Sequence, residues 1–228
     1  MDIKYFENQM KIDLEEIFSG IIKNLDGNLK LRAKARAGAE ISDILEDEFV
    51  KYFANNIHPR IYNPGSAPKG ATKNPYDIKF NYKFNECDEL IWGDIKAFSS
   101  KYENSNPDLG TVNKVIKFML GGHFYIVFIL VEYSPTEDDL IRFESIGKDN
   151  SKVKIEFLKD IHHSFRVNPK NQLQVNYKEE YSYRTKADFI KILEEKYIRS
   201  YKWRLENAKK KLDFAQIIFD KIRKKQNI

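Results

Sequence analysis

The stretch HFYIVFILVEY, His123 to Tyr133, constrains this chain more than any other. It is apolar at nearly every position, and its longest uninterrupted part, Phe124 to Val131, is far too short to cross a bilayer as a helix. A strand of this kind is buried on both faces, which puts it at the centre of a sheet with further layers above and below. The segment before it, TVNKVIKFML, has Val112, Val115, Ile116 and Met119 on one helical stripe, and Gly121-Gly122 supplies the stop. Further short strands are predicted at Leu140 to Ile146 and Val153 to Leu158.

Upstream, RAGAEISDILEDEFVKYFAN (Arg36 to Asn55) carries Ala37, Ile41, Ile44, Leu45, Phe49, Tyr52 and Phe53 at helical spacing and predicts an amphipathic helix. The proline-, glycine- and asparagine-rich segment from Ile57 to Asp77 predicts a long loop. YDIKFNYKF then alternates, with Tyr76, Ile78, Phe80 and Tyr82 on one face. A hairpin through the polar turn Asn85 to Glu89 joins it to LIWGDIKAF, where period two sends Leu90, Trp92, Asp94 and Lys96 to one side and Ile91, Gly93, Ile95 and Ala97 to the other. The order is helix, strand, strand, helix, central strand, and from Thr185 onward the chain is mostly helical.

Charge is distributed unevenly. Residues 183 to 228 hold 14 Lys+Arg against 6 Asp+Glu, whereas residues 1 to 182 hold 25 against 28. A basic C-terminal part suits a polyanionic partner, nucleic acid first, or is a solvated helix face. Cys87 is the only cysteine and reads as a half-buried residue in a turn; a disulfide and a thiolate zinc site are thereby excluded. The N-terminus does not resemble a secretory signal, and a cytoplasmic protein is expected.

Asp94 and Lys96 pose the chemical question. Acid-x-Lys spacing recurs at Asp2/Lys4, Asp77/Lys79 and Glu194/Lys196, so spacing alone carries no weight. What sets Asp94 and Lys96 apart is their shared face on a strand fit for the interior, where an unpaired charge is costly or loses its ionisation. One reading is a structural ion pair. The other is a reactive site. Hairpin pairing could bring Asp77 to Asp94, and Glu40 lies among the inward residues of the first helix, with Asp43, Glu46 and Asp47 assigned to its solvent side. Three carboxylates beside one lysine make a hard oxygen site suited to Mg²⁺.

Pro75-Tyr76-Asp77, then Asp94-Ile95-Lys96 in an apolar strand, with Glu40 on an upstream helix, resembles the PD-(D/E)xK nuclease superfamily, particularly its type II restriction endonucleases. Tyr76 interrupts the family's Pro-Asp dipeptide. The resemblance covers the middle half of the chain. It implies an α/β fold with a central mixed sheet flanked by helices, a nuclease core over residues 1–182 and a basic helical extension over 183–228. It further implies that Asp77, Asp94 and the Ile95 carbonyl hold Mg²⁺, that Lys96 orients the attacking water, and that Glu40 is an auxiliary ligand. The implied reaction is hydrolysis of double-stranded DNA at a specific, palindromic site, leaving 5′-phosphate ends. A homodimer and a cognate DNA methyltransferase are the partners such an enzyme would have.

For DNA contact the expectation is Arg60, Lys69 and Lys73 on phosphates, with Asn63 or Asn74 nearer the bases. Ser99, Ser100, Lys101 and Asn104 follow the reactive strand directly. The most polar segment, His162 to Tyr177, gathers Arg166, Asn168, Lys170, Asn171, Gln172, Gln174 and Asn176, and its Asn/Gln content leans towards an A·T-containing target. His162 and His163 read as surface or DNA-contacting residues. The apolar stripe Ile198, Tyr201, Leu205, Leu212, Ala215, Ile218 and Phe219 packs on the core or forms a dimer interface. A structure-specific nuclease and a non-catalytic DNA-binding module stand as rival readings.

Overall fold

The computed structural model describes residues 2–31, 36–68, 76–101, 108–146, 150–175, 177 and 179–226. The apolar run forms strand β6 (Ile126–Pro135), buried on both faces as expected: Val127, Ile129 and Val131 enter one cluster, and Ile126, Phe128 and Leu130 the other. It is the hub of a curled mixed sheet.

On one edge β6 pairs in parallel with β4 (Cys87–Ser99), which pairs antiparallel with β3 (Ile78–Phe84), which in turn pairs with β2 (Ile61–Ser66). On its other edge β6 meets first β8 (Lys154–Phe157) and then β7 (Leu140–Glu144), with the short β1 (Leu29–Lys30) beyond. The strand β2 lies within the segment expected to be loop. Its register shift between Tyr62 and Gly65 explains why no alternation announces it. The β3–β4 turn is also tighter than expected. Asn85 at φ 56° and Glu86 make a two-residue turn, so Cys87 is the first residue of β4, paired with Phe84.

The first cluster is covered by two helices, α1 (Ile3–Leu25) and α2 (Ala37–Asn55). Sequence reading did not identify α1, although Phe6, Met10, Leu14, Ile17, Phe18 and Ile21 recur at helical spacing and are all buried. Phe18 stacks on Phe49 of α2 at 5.3 Å, and Phe6 meets Tyr82 of β3 edge-on at 5.4 Å. The second cluster is covered by α3 (Val112–Leu120) and the start of α4 (Lys186–Gln226), together with a small sheet of β5 (Asp108–Thr111), β10 (Gln172–Gln174) and β9 (Arg166–Val167). Tyr76 belongs to this second cluster, its ring tilted against Trp92 at 4.2 Å, and not to the face of Ile78, Phe80 and Tyr82. It precedes the first paired residue of β3, so the alternation does not extend to it. No helix among the described residues is long and apolar enough to cross a membrane.

Candidate active site

The period-two reading of β4 holds. Ile91 and Ile95 face the first cluster, while Trp92 and Phe98 face the second, which puts Asp94 and Lys96 on the second face. The Lys96 Nζ donates to Asp94 Oδ1 at 2.8 Å, with Asp94 buried and Lys96 about a quarter exposed.

The site forms where β3 and β4 part. Their ladder ends at the pair Ile78–Gly93, and the Asp77 amide donates to the Gly93 carbonyl at 2.8 Å. Beyond that point no strand among the described residues pairs with this edge of β4. The Asp77 carboxylate takes the vacant place, its Oδ2 accepting from the Ile95 amide at 2.7 Å. The hairpin thus closes the eighteen residues from Asp77 to Ile95 and brings Asp77 beside Asp94. Burial pushes the Asp94 carboxyl up to about 6; the Asp77 charge and a hydrogen bond between the two carboxyls add to the rise, and Lys96 opposes it.

Helix α2 crosses β4 at close range. A Cβ on Gly38 would lie 2.5 Å from the Ala97 carbonyl oxygen, so only glycine permits this approach. One turn on, the Ser42 hydroxyl lies between two acceptors, the Gly38 carbonyl of its own helix at 3.0 Å and the Ile95 carbonyl at 3.1 Å. One turn further is Glu46, half-buried and within electrostatic range of Asp77. Burial chiefly raises its pKa, with Asp77, Asp43 and Asp47 adding and a hydrogen bond with Ser66 opposing. Glu46 had been assigned to solvent; in fact positions 38, 42 and 46 form a row at spacing four beside the buried row Ile41, Leu45 and Phe49. That row, opened by a glycine, is the signal that was overlooked. Glu40 is half-buried in the first turn of α2, two turns from Glu46.

The donor set fits a hard divalent cation. Two carboxylates lie side by side, one of them buried so that its charged form is disfavoured, and a divalent cation would balance their negative charge. The Ile95 carbonyl keeps a second lone pair despite Ser42. No group of three or more Asp, Glu, His or Cys suited to a metal occurs among the described residues, so two carboxylates would leave most of the coordination shell to water and phosphate.

The expected DNA contacts fare unevenly. Arg60 is engaged within the fold. Its Nε and Nη2 grip Asp13 at 2.5 and 2.6 Å, and Tyr82 donates to the same carboxylate at 2.7 Å. A buried aspartate on α1 needs this cation, and the α1 helix was the element missing from the sequence reading. Lys69, Lys73, Asn74, Asn104 and Asn176 lie outside the described residues. Asn63 is exposed on β2, Ser99 and Ser100 are half-buried at the end of β4, and Lys101 beside them is exposed. In the β9–β10 hairpin much of the polarity is architectural. The Asn168 carboxamide accepts from the Lys170 and Gln172 amides at 2.9 and 3.0 Å, the Asn171 side chain accepts from Arg204 at 3.0 Å, and Arg166 donates to Gln174 at 3.2 Å. Lys170 and Arg166 remain exposed, on the side of the sheet shared by Asp94 and Lys96. His162, half-buried, and His163, exposed, lie with their rings tilted against each other at 4.1 Å.

No curated protein matches the chain. Among solved structures, an NlaIV restriction endonuclease superposes with a TM-score of 0.48 at 11% identity, over 77% of this chain and 77% of that one. A family model described as SwaI restriction endonuclease matches residues 2–215, nearly the full length, and the chain therefore belongs to the SwaI-like family of restriction endonucleases.

Proposed function

We propose that the protein is a Mg²⁺-dependent type II enzyme that cuts double-stranded DNA at a specific, palindromic site and leaves 5′-phosphate ends. The observation that carries this reading is the Asp77 carboxylate completing the β4 edge at Ile95, directly beside the buried Asp94–Lys96 pair. A structural ion pair would need no second carboxylate forced against the first.

A divalent cation bound by Asp77, Asp94 and the Ile95 carbonyl would supply Lewis-acid charge at the scissile phosphate and acidify the attacking water. Lys96, held by Asp94, orients that water and neutralises charge growing on the phosphate oxygens. In-line attack expels the 3′ oxygen and leaves the phosphate on the 5′ side. Ser42 lies beside the Ile95 carbonyl, and Glu46 flanks Asp77 as a further carboxylate on the helix that also carries Glu40, the expected auxiliary ligand. Lys101, Arg166 and Lys170 are the exposed cations suited to the duplex backbone. Cutting both strands of a palindrome calls for a two-fold dimer.

The test is a digest of long, fully sequenced DNA with Mg²⁺ or EDTA. Discrete fragments that require Mg²⁺ and disappear with Lys96→Ala are the expected result. Random degradation, or cleavage that survives EDTA, would overturn the reading.

A further inference from the structure

Helix α4 outruns the body it starts from. Of its 41 residues only Phe189 and Leu193 are buried, and the helix extends for about 60 Å. The C-terminal part nevertheless carries large apolar side chains in the open: Leu205 58% exposed, Leu212 60%, Phe219 59% and Ile222 46%. With Ala208 and Ala215 these residues recur at spacings of three and four without a break from 205 to 222. Phe214, Ile217 and Ile218 are exposed as well, but they fall outside that alternation, and a 3–4 spacing sustained from 205 to 222 is the mark of a seam between two helices.

We infer that this seam is the interface with a second copy of the chain, formed by α4 packed antiparallel against its counterpart. Size alternation along the seam supports that polarity. Antiparallel pairing about the midpoint sets Leu205 opposite Ile222, Ala208 opposite Phe219, and Leu212 opposite Ala215 of the other copy, so large meets small and the helices can close without voids. Parallel pairing would stack Phe219 on Phe219 and alanine on alanine. Four half-exposed large side chains per helix, with the alanines and flanking stems, enclose on the order of 1,000 Å² over both copies, the threshold for a specific interface. The same arrangement sets Lys202 opposite Arg223 and Arg204 opposite Lys225, so like charges flank an apolar seam. Association therefore tightens as salt rises, the reverse of what a charge-driven contact does.

The inference builds on the dimeric reading above, and solution mass is measured apart from cleavage so that either can fail alone. Light scattering on the full chain at micromolar concentration is expected to give twice 26.9 kDa, more completely at high salt than at low. The doubly substituted Leu212→Glu, Phe219→Glu chain should dissociate roughly 100-fold more readily, because both sites sit at the centre of the contact. These side chains are exposed in the single chain, so its circular dichroism should be unchanged. Ile217→Glu, 53% exposed but off the seam, should leave the dimer intact. A monomer at both salts, or equal dissociation by Ile217→Glu, would overturn the seam. In a Cys87→Ser background, Leu205→Cys with Ile222→Cys should cross-link on oxidation. Cross-linking by Ile222→Cys alone would overturn the antiparallel arrangement.

Discussion

Asp94 combines two demands that a residue in a protein interior seldom meets together: almost complete burial, and a neighbouring carboxylate. Its raised pKa has a stability consequence in the metal-free protein. A carboxyl whose folded-state pKa lies near 6, against an ordinary value near 3.8, holds its proton more firmly folded than unfolded. The favourable contribution is complete below about pH 4 and is lost as pH rises through 6, at a cost of about 3 kcal/mol by pH 8. Asp94→Asn should therefore be more stable than the parent at pH 8 in EDTA, with the gap closing near pH 4; urea denaturation at the two pH values measures this. The same substitution should abolish cleavage. Lys96→Ala should do so as well, by about 10³-fold or more, and should also lose stability at neutral pH, because it leaves the buried Asp94 carboxylate without its cation. Near-parental cleavage by either variant would remove Asp94 and Lys96 from the reaction.

At the scale of elements, the site depends on how closely α2 lies on β4. Gly38→Val would place a branched side chain where even a Cβ meets the Ala97 carbonyl at 2.5 Å, so α2 must lift and take Ser42 and Glu46 with it. A loss of about 1–3 kcal/mol and a fall in cleavage rate are expected. Gly20 in α1 is the contrast, since nothing lies within 4 Å of its Cβ position, and Gly20→Ala should be neutral or stabilising by up to about 1 kcal/mol. Thermal melts of the two variants would separate the effects. The Asp13–Arg60 pair joins α1 to the chain entering β2. Arg60→Ala strands a buried carboxylate and should cost about 3–5 kcal/mol while leaving the salt dependence of DNA binding unaltered. A changed salt slope in a fully folded variant would restore Arg60 to the DNA interface.

Across the whole molecule, charge is segregated by function. The helix α4 and the β9–β10 hairpin meet through Arg204 and Asn171, so the basic C-terminal part adjoins the segment where Arg166 and Lys170 stand exposed. DNA affinity, measured by anisotropy in Ca²⁺, should fall with rising salt, and Lys170→Ala and Arg166→Ala should each reduce that slope by about 1. Self-association through α4 should move the other way with salt. The two titrations together would distinguish a duplex-binding surface from a helix-pairing one on the same basic segment.

Period and composition are local properties, and what they govern was legible in the residues alone. The run from Phe124 to Val131 pointed to a doubly buried strand, which Ile126 to Val131 form; the alternation from Leu90 to Ala97 put Asp94 and Lys96 on one face, and the 3.6-residue rhythm from Ala37 onward made α2. Proximity across the chain is a different quantity. That Asp77 fills the edge at Ile95, that Glu46 comes within electrostatic range of it, and that Arg60 answers Asp13 across 47 residues all follow from the way layers stack. The hairpin shows the same limit from the other side. Asn168, Asn171 and Gln174 have the composition of a reading surface, but their hydrogen bonds are largely taken up in shaping the turn and tying it to its neighbours, because buried or constrained polar groups take the nearest partner the fold offers.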